Sequence, residues 1–170
     1  MTSRRRLIVM RHGKAEPFAA SDQDRQLTGR GVASATDAGR YLRGTGDVPD
    51  HAIVSSSART RQTWEALALA AGSSAQVSLD PAVYSGSVDV VLEALRAAPA
   101  SAEVLIFVGH NPSAAYVAAL LDDGDGDGDA ISQMLQGFPP GALVTFEVEV
   151  PWAELDAESG RVHGFYVGQG

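Results

Sequence analysis

The run Leu7-Ile8-Val9-Met10 is short, continuous and apolar, and it empties into Arg11-His12-Gly13. That is the pattern of a strand buried on both faces of a parallel sheet. Ala52-Ile53-Val54 repeats it, and Val104-Leu105-Ile106-Phe107-Val108 is its strongest instance, running into Gly109-His110-Asn111-Pro112. Between these runs the period changes. Thr28 caps a predicted helix with Val32, Ala35 and Leu42 on one side, ending near Gly44 and Gly46. Ser55-Ser56-Ser57 offers hydroxyl caps to a second helix, from about Ala58 to Ala71, stopped at Gly72. A weaker strand over Gln76 to Leu79 and a loop over Pro81 to Gly86 follow; Val88, Val91, Leu92 and Leu95 then recur at helical spacing until Pro99. Pro112 suits the first turn of a helix through Tyr116, Val117 and Leu121. Leu143 to Val150 alternates like a strand with one solvated face, and Val162 to Val167 pairs with it as a hairpin across Trp152 to Gly160. Alternating strands and helices predict a three-layer α/β/α sandwich with a mainly parallel central sheet and a C-terminal antiparallel hairpin.

A length of 170 residues predicts one domain over 1–170, at roughly one domain per 150 residues, large enough to fold without staples. With no cysteine, disulfides, thiolate zinc sites and cysteine nucleophiles are excluded, and with them the cysteine-phosphatase route. The formal net charge of −8 at pH 7 argues against nucleic-acid or acidic-membrane partners and makes any anion site local. Arg4, Arg5 and Arg6 before Leu7 to Met10 mimic a signal peptide, but Arg11 ends the apolar run too early. No stretch could span a bilayer, so a cytoplasmic location is the default expectation. Residues 122–129, Asp-Asp-Gly-Asp-Gly-Asp-Gly-Asp, read as a flexible solvated loop. From Asp123 they copy the start of a calcium loop, but the closing bidentate Glu would have to fall at Met134, so an EF-hand is not supported.

In open α/β sheets ligands sit beyond the carboxyl ends of the strands. Those positions hold Arg11, His12 and Gly13 after the first strand, Arg59 after the second, and Gly109 and His110 after the strongest. Each alone is weak evidence, since an isolated His or a helix Arg is ordinarily structural. Converging on one edge, they make a cationic pocket in an acidic protein, which suits a tetrahedral phosphoryl dianion. Arg11 and Arg59 can each grip phosphate oxygens with a planar fork, and His110 can add a donor. Nearby Arg charges disfavour imidazolium at His12 and so leave a ring lone pair for nucleophilic attack. Gly13 leaves room beside the ring, and Gly109 lets the backbone turn closely before His110.

The segments LIVMRHGKA (Leu7 to Ala15), SSSARTRQT (Ser55 to Thr63) and VLIFVGHNP (Val104 to Pro112) resemble the three blocks of the histidine phosphatase superfamily, which includes the cofactor-dependent phosphoglycerate mutases. The short length and Asp24-Arg25-Gln26-Leu27-Thr28 look most like its SixA-type phosphohistidine phosphatases, which usually show Arg-Pro-Leu-Thr here. The resemblance implies a phosphoglycerate mutase-like fold and a metal-independent, cofactor-free mechanism. His12 attacks phosphorus and water then releases phosphate, while Arg11, Arg59 and His110 stabilise the transferring group. Gly13 and Arg25 join the phosphate- or substrate-binding set. Many superfamily members carry an acidic Glu in the loop after the third strand, but here that loop reads Val83-Tyr84-Ser85-Gly86. The gap favours phosphoramidates, because a departing imidazole takes a proton from solvent more readily than an alkoxide does; Glu16 and Asp89 remain candidate acids. A phosphohistidine protein is the expected substrate. The alternatives are small phosphate esters or a phosphate-binding protein without turnover; the oligomeric state is left open. His51 and His163 are expected to be structural or exposed, Trp64 to pack, and Arg4 to Arg6 to form a solvated tail.

Overall fold

A computed structural model describes residues 4–170. Six strands form one sheet, β1 (Arg5–Arg11), β2 (His51–Ser55), β3 (Gln76–Asp80), β4 (Val104–Gly109), β5 (Ala142–Val148) and β6 (Gly160–Val167), in the order β3-β2-β4-β1-β5-β6. β3, β2, β4 and β1 run parallel, and β5 and β6 add an antiparallel pair at the β1 side. Helices α1 (Gly29–Thr45), α2 (Ala58–Ala71), α3 (Val88–Arg96), α4 (Ser113–Leu121) and α5 (Gly128–Leu135) complete the three layers. This is the α/β/α sandwich with a C-terminal hairpin that the hydrophobic pattern predicts.

The sheet divides the core by residue parity. Ile8, Met10, Ala52, Val54, Ile106 and Val108 pack toward α1 and α2 with Leu42, Trp64 and Leu67. Leu7, Val9, Ile53, Leu105 and Phe107 face α3, α4 and α5 with Leu95, Val117 and Met134. Continuous apolar runs are needed because both faces are covered. Each fully buried large side chain contributes about 1.5–3 kcal/mol. Both long N-terminal helices have the predicted caps: Thr28 accepts from Gly31 N–H, Ser57 from Thr60 N–H, and Gly46 and Gly72 close them in the left-handed region at φ 83 and 70.

Several expectations need correction. Arg5 and Arg6 are not tail residues but the start of β1; Arg6 lies 3.4 Å from Asp47 and 3.0 Å from Glu147, and these paired charges let the strand begin before its apolar run. Val32 lies outward, and α1 instead buries Gly31, Ser34, Ala35, Ala38, Gly39 and Leu42. Small residues win there because α1 and α2 touch closely: a Cβ on Gly39 would lie 2.3 Å from the Leu67 carbonyl oxygen. β5 ends at Val148 and has no solvated face; the stacked rings of Tyr41 on α1 and Tyr166 on β6, 4.1 Å apart, help cover the face that was expected to be wet.

The Asp/Gly segment is not simply a free loop. Asp123 N–H donates to Gly160 O at 2.8 Å and Asp127 N–H to Val162 O at 2.9 Å. Asp127 then caps α5, which buries Ala130 and Met134. The Asp123 carboxylate is used by Asp125 N–H and Arg161. Among the described residues no group of three or more His, Asp or Glu is placed to hold a metal ion, and no helix is long and apolar enough to cross a membrane.

The loop after β1 is held directly against α1. A Cβ on Gly31 would lie 2.2 Å from Lys14 O, whereas one on the neighbouring Gly29 would meet nothing within 4 Å. Gly31→Ala is therefore expected to destabilise by about 1–3 kcal/mol, and Gly29→Ala to be neutral or stabilising by up to about 1 kcal/mol. Thermal melts of the two variants check this; equal shifts would mean that the contact yields without cost.

Candidate active site

The parallel register sets Arg11 opposite Gly109, and His12 N–H continues the ladder by donating to Gly109 O at 3.0 Å. The next residue of each chain segment is a histidine, and the two rings lie 5.3 Å apart, edge to face. β2 ends one strand away at Ser55, whose hydroxyl is 2.8 Å from His110 Nε2. Arg59 stands in the first turn of α2 and reaches back over this edge.

His12 is 8% exposed and its Nδ1 lies 2.7 Å from the Gly13 carbonyl oxygen. A carbonyl can only accept, so Nδ1 carries the hydrogen and Nε2 the lone pair. Arg59 Nε donates to that lone pair at 3.3 Å, and Arg59 Nη2 lies 3.4 Å from His110 Nδ1. With Nδ1 accepting from Arg59, His110 Nε2–H donates to Ser55 Oγ. Burial is the first cause that pushes His12 down to about 4; Arg59, Arg11 and Arg25 push the same way against the Gly13 bond. His110 is pushed down to about 3 by burial first and then by His12 and Arg59. Both rings are neutral at pH 7, with desolvation the largest single cause and the arginine charges adding to it.

Arg11 donates from Nη1 to Phe138 O at 3.0 Å, and its Nε is buried without a hydrogen-bond partner among the described residues. Asn111 Nδ2 shares the same carbonyl at 2.9 Å. Thr63 fastens the frame, accepting from Gly13 N–H at 3.0 Å and donating to Arg59 O at 2.7 Å. Gly13 packs against α1, with a Cβ there 2.7 Å from Gly31 O. Gly109 is required by the Phe107 ring, 2.3 Å from where its Cβ would be, rather than by a turn.

The structure thus brings together Arg11, His12, Gly13, Arg59 and His110. Arg25 stands at the edge of this group: its charge reaches His12, while its Nε donates to Glu16 O at 2.8 Å and its Nη1 to Asp22 Oδ1 at 2.9 Å. Glu16 meets this network through its backbone. Asp89, in the first turn of α3, lines a cavity of about 580 Å³ together with Tyr84, His110, Asn111 and Tyr116.

Sequence reasoning missed Asp22. It sits on a short 3-10 turn, Asp22–Asp24, and its backbone carbonyl and carboxylate accept from Arg59 Nη1 at 2.8 Å and Nη2 at 3.0 Å. Tyr84 OH donates to the same carboxylate, with its ring edge to face on His110. Tyr84, then Arg59 and Arg25, hold the Asp22 carboxyl well below the ordinary carboxylate range. The available signal was its position three residues before Arg25, the spacing of a paired charge across one turn. Phe138 contributes only a carbonyl, which leaves no trace in residue type.

Residues 7–84 match the histidine phosphatase superfamily (branch 1). A solved structure from Nakamurella multipartitia, provisionally assigned as the phosphohistidine phosphatase SixA, is 33% identical with a TM-score of 0.86, covering 97% of this chain and 96% of that one. The protein histidine phosphatase SixA in complex with tungstate shares the fold at 22% identity, TM-score 0.78, covering 95% of this chain and 96% of that one. An uncharacterised protein of Mycobacterium leprae (strain TN) is 28% identical over 163 residues, 93% of this chain and 99% of its own. The chain belongs to the histidine phosphatase superfamily. Within it the chain falls in the SixA-type branch, and it is a phosphatase.

The buried neutral histidines tie stability to pH. Below the ordinary value of 6.5 the unfolded chain takes up protons that His12 refuses until about 4. Stability is therefore expected to fall as pH falls through that window. Melting temperatures across it should decline less steeply in His12→Asn and His110→Asn than in the wild type; parallel slopes would mean that the rings titrate normally in the fold.

Proposed function

We propose that the chain is a metal-independent protein phosphohistidine phosphatase with His12 as nucleophile. His12 Nε2 attacks phosphorus in line, forming an Nε2–P bond as the P–N bond to the substrate imidazole breaks. The departing imidazole takes its proton from solvent. Water then attacks the phosphohistidine, giving inorganic phosphate and neutral His12. Arg11, Arg59 and His110 stabilise the charge on the transferring oxygens, and the Gly13 carbonyl keeps the ring in the attacking tautomer.

The observation that carries this reading is the state of His12. Its Nε2 is unprotonated, and the guanidinium that donates to it at 3.3 Å can turn that N–H toward a phosphoryl oxygen, keeping its proton and freeing the lone pair. The buried Nε of Arg11, without a partner among the described residues, is a further donor suited to an anion. The 33% identical Nakamurella protein, provisionally assigned as a phosphohistidine phosphatase, supports the substrate class. A second reading, hydrolysis of small phosphate esters, draws on Asp89, which shares a cavity with His110 and could protonate an alkoxide; Glu16 offers no comparable placement.

The test is turnover of a phosphohistidine peptide and of p-nitrophenyl phosphate in EDTA. The peptide should be the better substrate. His12→Ala should lose at least about a thousandfold in kcat, and Arg59→Lys about 10–100-fold, because the planar fork is lost. Ester turnover alone would move the substrate to small phosphates. Phosphate binding with no turnover of either would overturn both substrate readings.

A further inference from the structure

We propose that Asp22 is a positioning residue for the phosphatase reaction, and that Arg25 and Tyr84 act through it to aim Arg59 at the phosphoryl group. This rests on the proposed role of Arg59 as a phosphoryl ligand.

Arg59 presents two bidentate edges, and the structure uses them differently. The Nε and Nη2 edge faces the histidines through long contacts, 3.3 Å to His12 Nε2 and 3.4 Å to His110 Nδ1. The Nη1 and Nη2 end is gripped by one residue, at 2.8 Å to the carbonyl oxygen of Asp22 and 3.0 Å to its carboxylate. A charge-assisted pair at those distances is a full-strength interaction, whereas the contacts to the rings lie at the long end of hydrogen bonding. The loosely held edge is where two phosphoryl oxygens can insert, between Arg59 and the nitrogens it now touches. The tightly held end can stay on Asp22 throughout. A guanidinium clamped at one end has few ways to turn, so its other edge is already aimed when substrate arrives, and orientation of this kind is a large part of catalysis.

Asp22 is itself held in place. Tyr84 OH donates to Oδ2 and Arg25 Nη1 donates to Oδ1 at 2.9 Å. Arg25 is in turn fixed by its Nε bond to Glu16 O at 2.8 Å, and the loop is closed at its base by an antiparallel bridge between Ala15 and Leu27. The Asp22 side chain is 52% exposed and that of Arg59 7%, so a surface loop sets the orientation of a buried cation. The Arg25 guanidinium is turned toward Asp22 and makes no hydrogen bond to His12, His110 or Arg11 among the described residues. Its charge still bears on His12, but its hydrogen bonds reach Arg59 only through the Asp22 carboxylate.

A double-mutant cycle tests this, with kcat and KM for the phosphohistidine peptide and the inhibition constants of vanadate and inorganic phosphate as readouts. Asp22→Ala should lower kcat about 10–100-fold and weaken vanadate, the transition-state mimic, in parallel, while KM and phosphate inhibition change by less than about threefold. Asp22→Asn, which keeps an acceptor oxygen, should recover part of the loss, and Tyr84→Phe should show a smaller loss of the same kind. Arg25→Ala should resemble Asp22→Ala, and the double variant should be no slower than Asp22→Ala alone. Multiplying losses, with phosphate inhibition weakened by Arg25→Ala in either background, would make Arg25 a direct phosphate ligand and overturn the proposal. So would full activity in Asp22→Ala. Arg59→Ala separates the two levels: if that variant remains active, the role of Arg59 itself fails. If it is inactive while Asp22→Ala is normal, only the positioning inference fails.

Discussion

The parallel pairing of β1 with β4 is the constraint on which the rest of the site depends. It sets Arg11 opposite Gly109, so two strand ends that are 98 residues apart along the chain deliver His12 and His110 to the same edge. Side chains alternate between faces along a strand, and a slip of one residue would send Ile8 and Met10 to the wrong layer as well as parting the two rings. The core and the site are therefore specified by the same register. Residues Leu7 to Met10 and Leu105 to Val108, all 0% exposed, make that register costly to change. Ser55 joins through the second parallel pairing, and Thr63 ties α2 back to Gly13.

Burial then does the chemical work that charge alone would not do. A pocket with two arginines could still hold protonated histidines if water reached them. Here desolvation is the first cause of the low values of both rings, and the arginines add to it. The cost is two partly or fully buried guanidinium groups, and the structure satisfies them unequally. Arg59 is bonded at both ends, whereas Arg11 has one carbonyl contact and a buried Nε without a partner among the described residues. An unsatisfied buried donor is unfavourable, and an anion that accepts from it relieves the penalty. In a chain of net charge −8, that concentrates attraction for phosphate at one point of a surface that otherwise repels it.

The sequence made the layers legible because continuous apolar runs such as Val104 to Val108 and capped segments such as Thr28 to Gly46 each have one economical reading. It was less informative where packing overrode composition. The α1 stripe could not be read from hydrophobicity because close approach to α2 selects Gly39 and Ala38 over the larger Val32. α5 was obscured by the Asp/Gly tract, although Asp127 caps it and Ala130 and Met134 face inward at helical spacing. At the site, the residues at strand ends and the arginine of a helix's first turn were visible from position alone. Asp22 was not, since an aspartate in an exposed polar turn looks the same whether it faces solvent or a guanidinium. Phe138 could not have been found, because its contribution is a backbone carbonyl.

The division of Arg59 into two edges also bears on how one fold could serve different substrates. The phosphoryl side is built from strand ends and the first turn of a helix, elements fixed by the core and slow to change without loss of stability. The side that aims Arg59 comes from the loop between Ala15 and Leu27 and from Tyr84 beside β3, where exposed residues can be replaced at little cost to folding. On the proposed reading, the chemistry at phosphorus is set by the scaffold, and the precision of the arginine is set by the periphery. The cavity beyond His110 is bordered by the same Tyr84 that holds Asp22. A leaving group seated there would press on the residue that orients Arg59, so recognition of that group and alignment of the transferring phosphoryl would be coupled through one aromatic side chain.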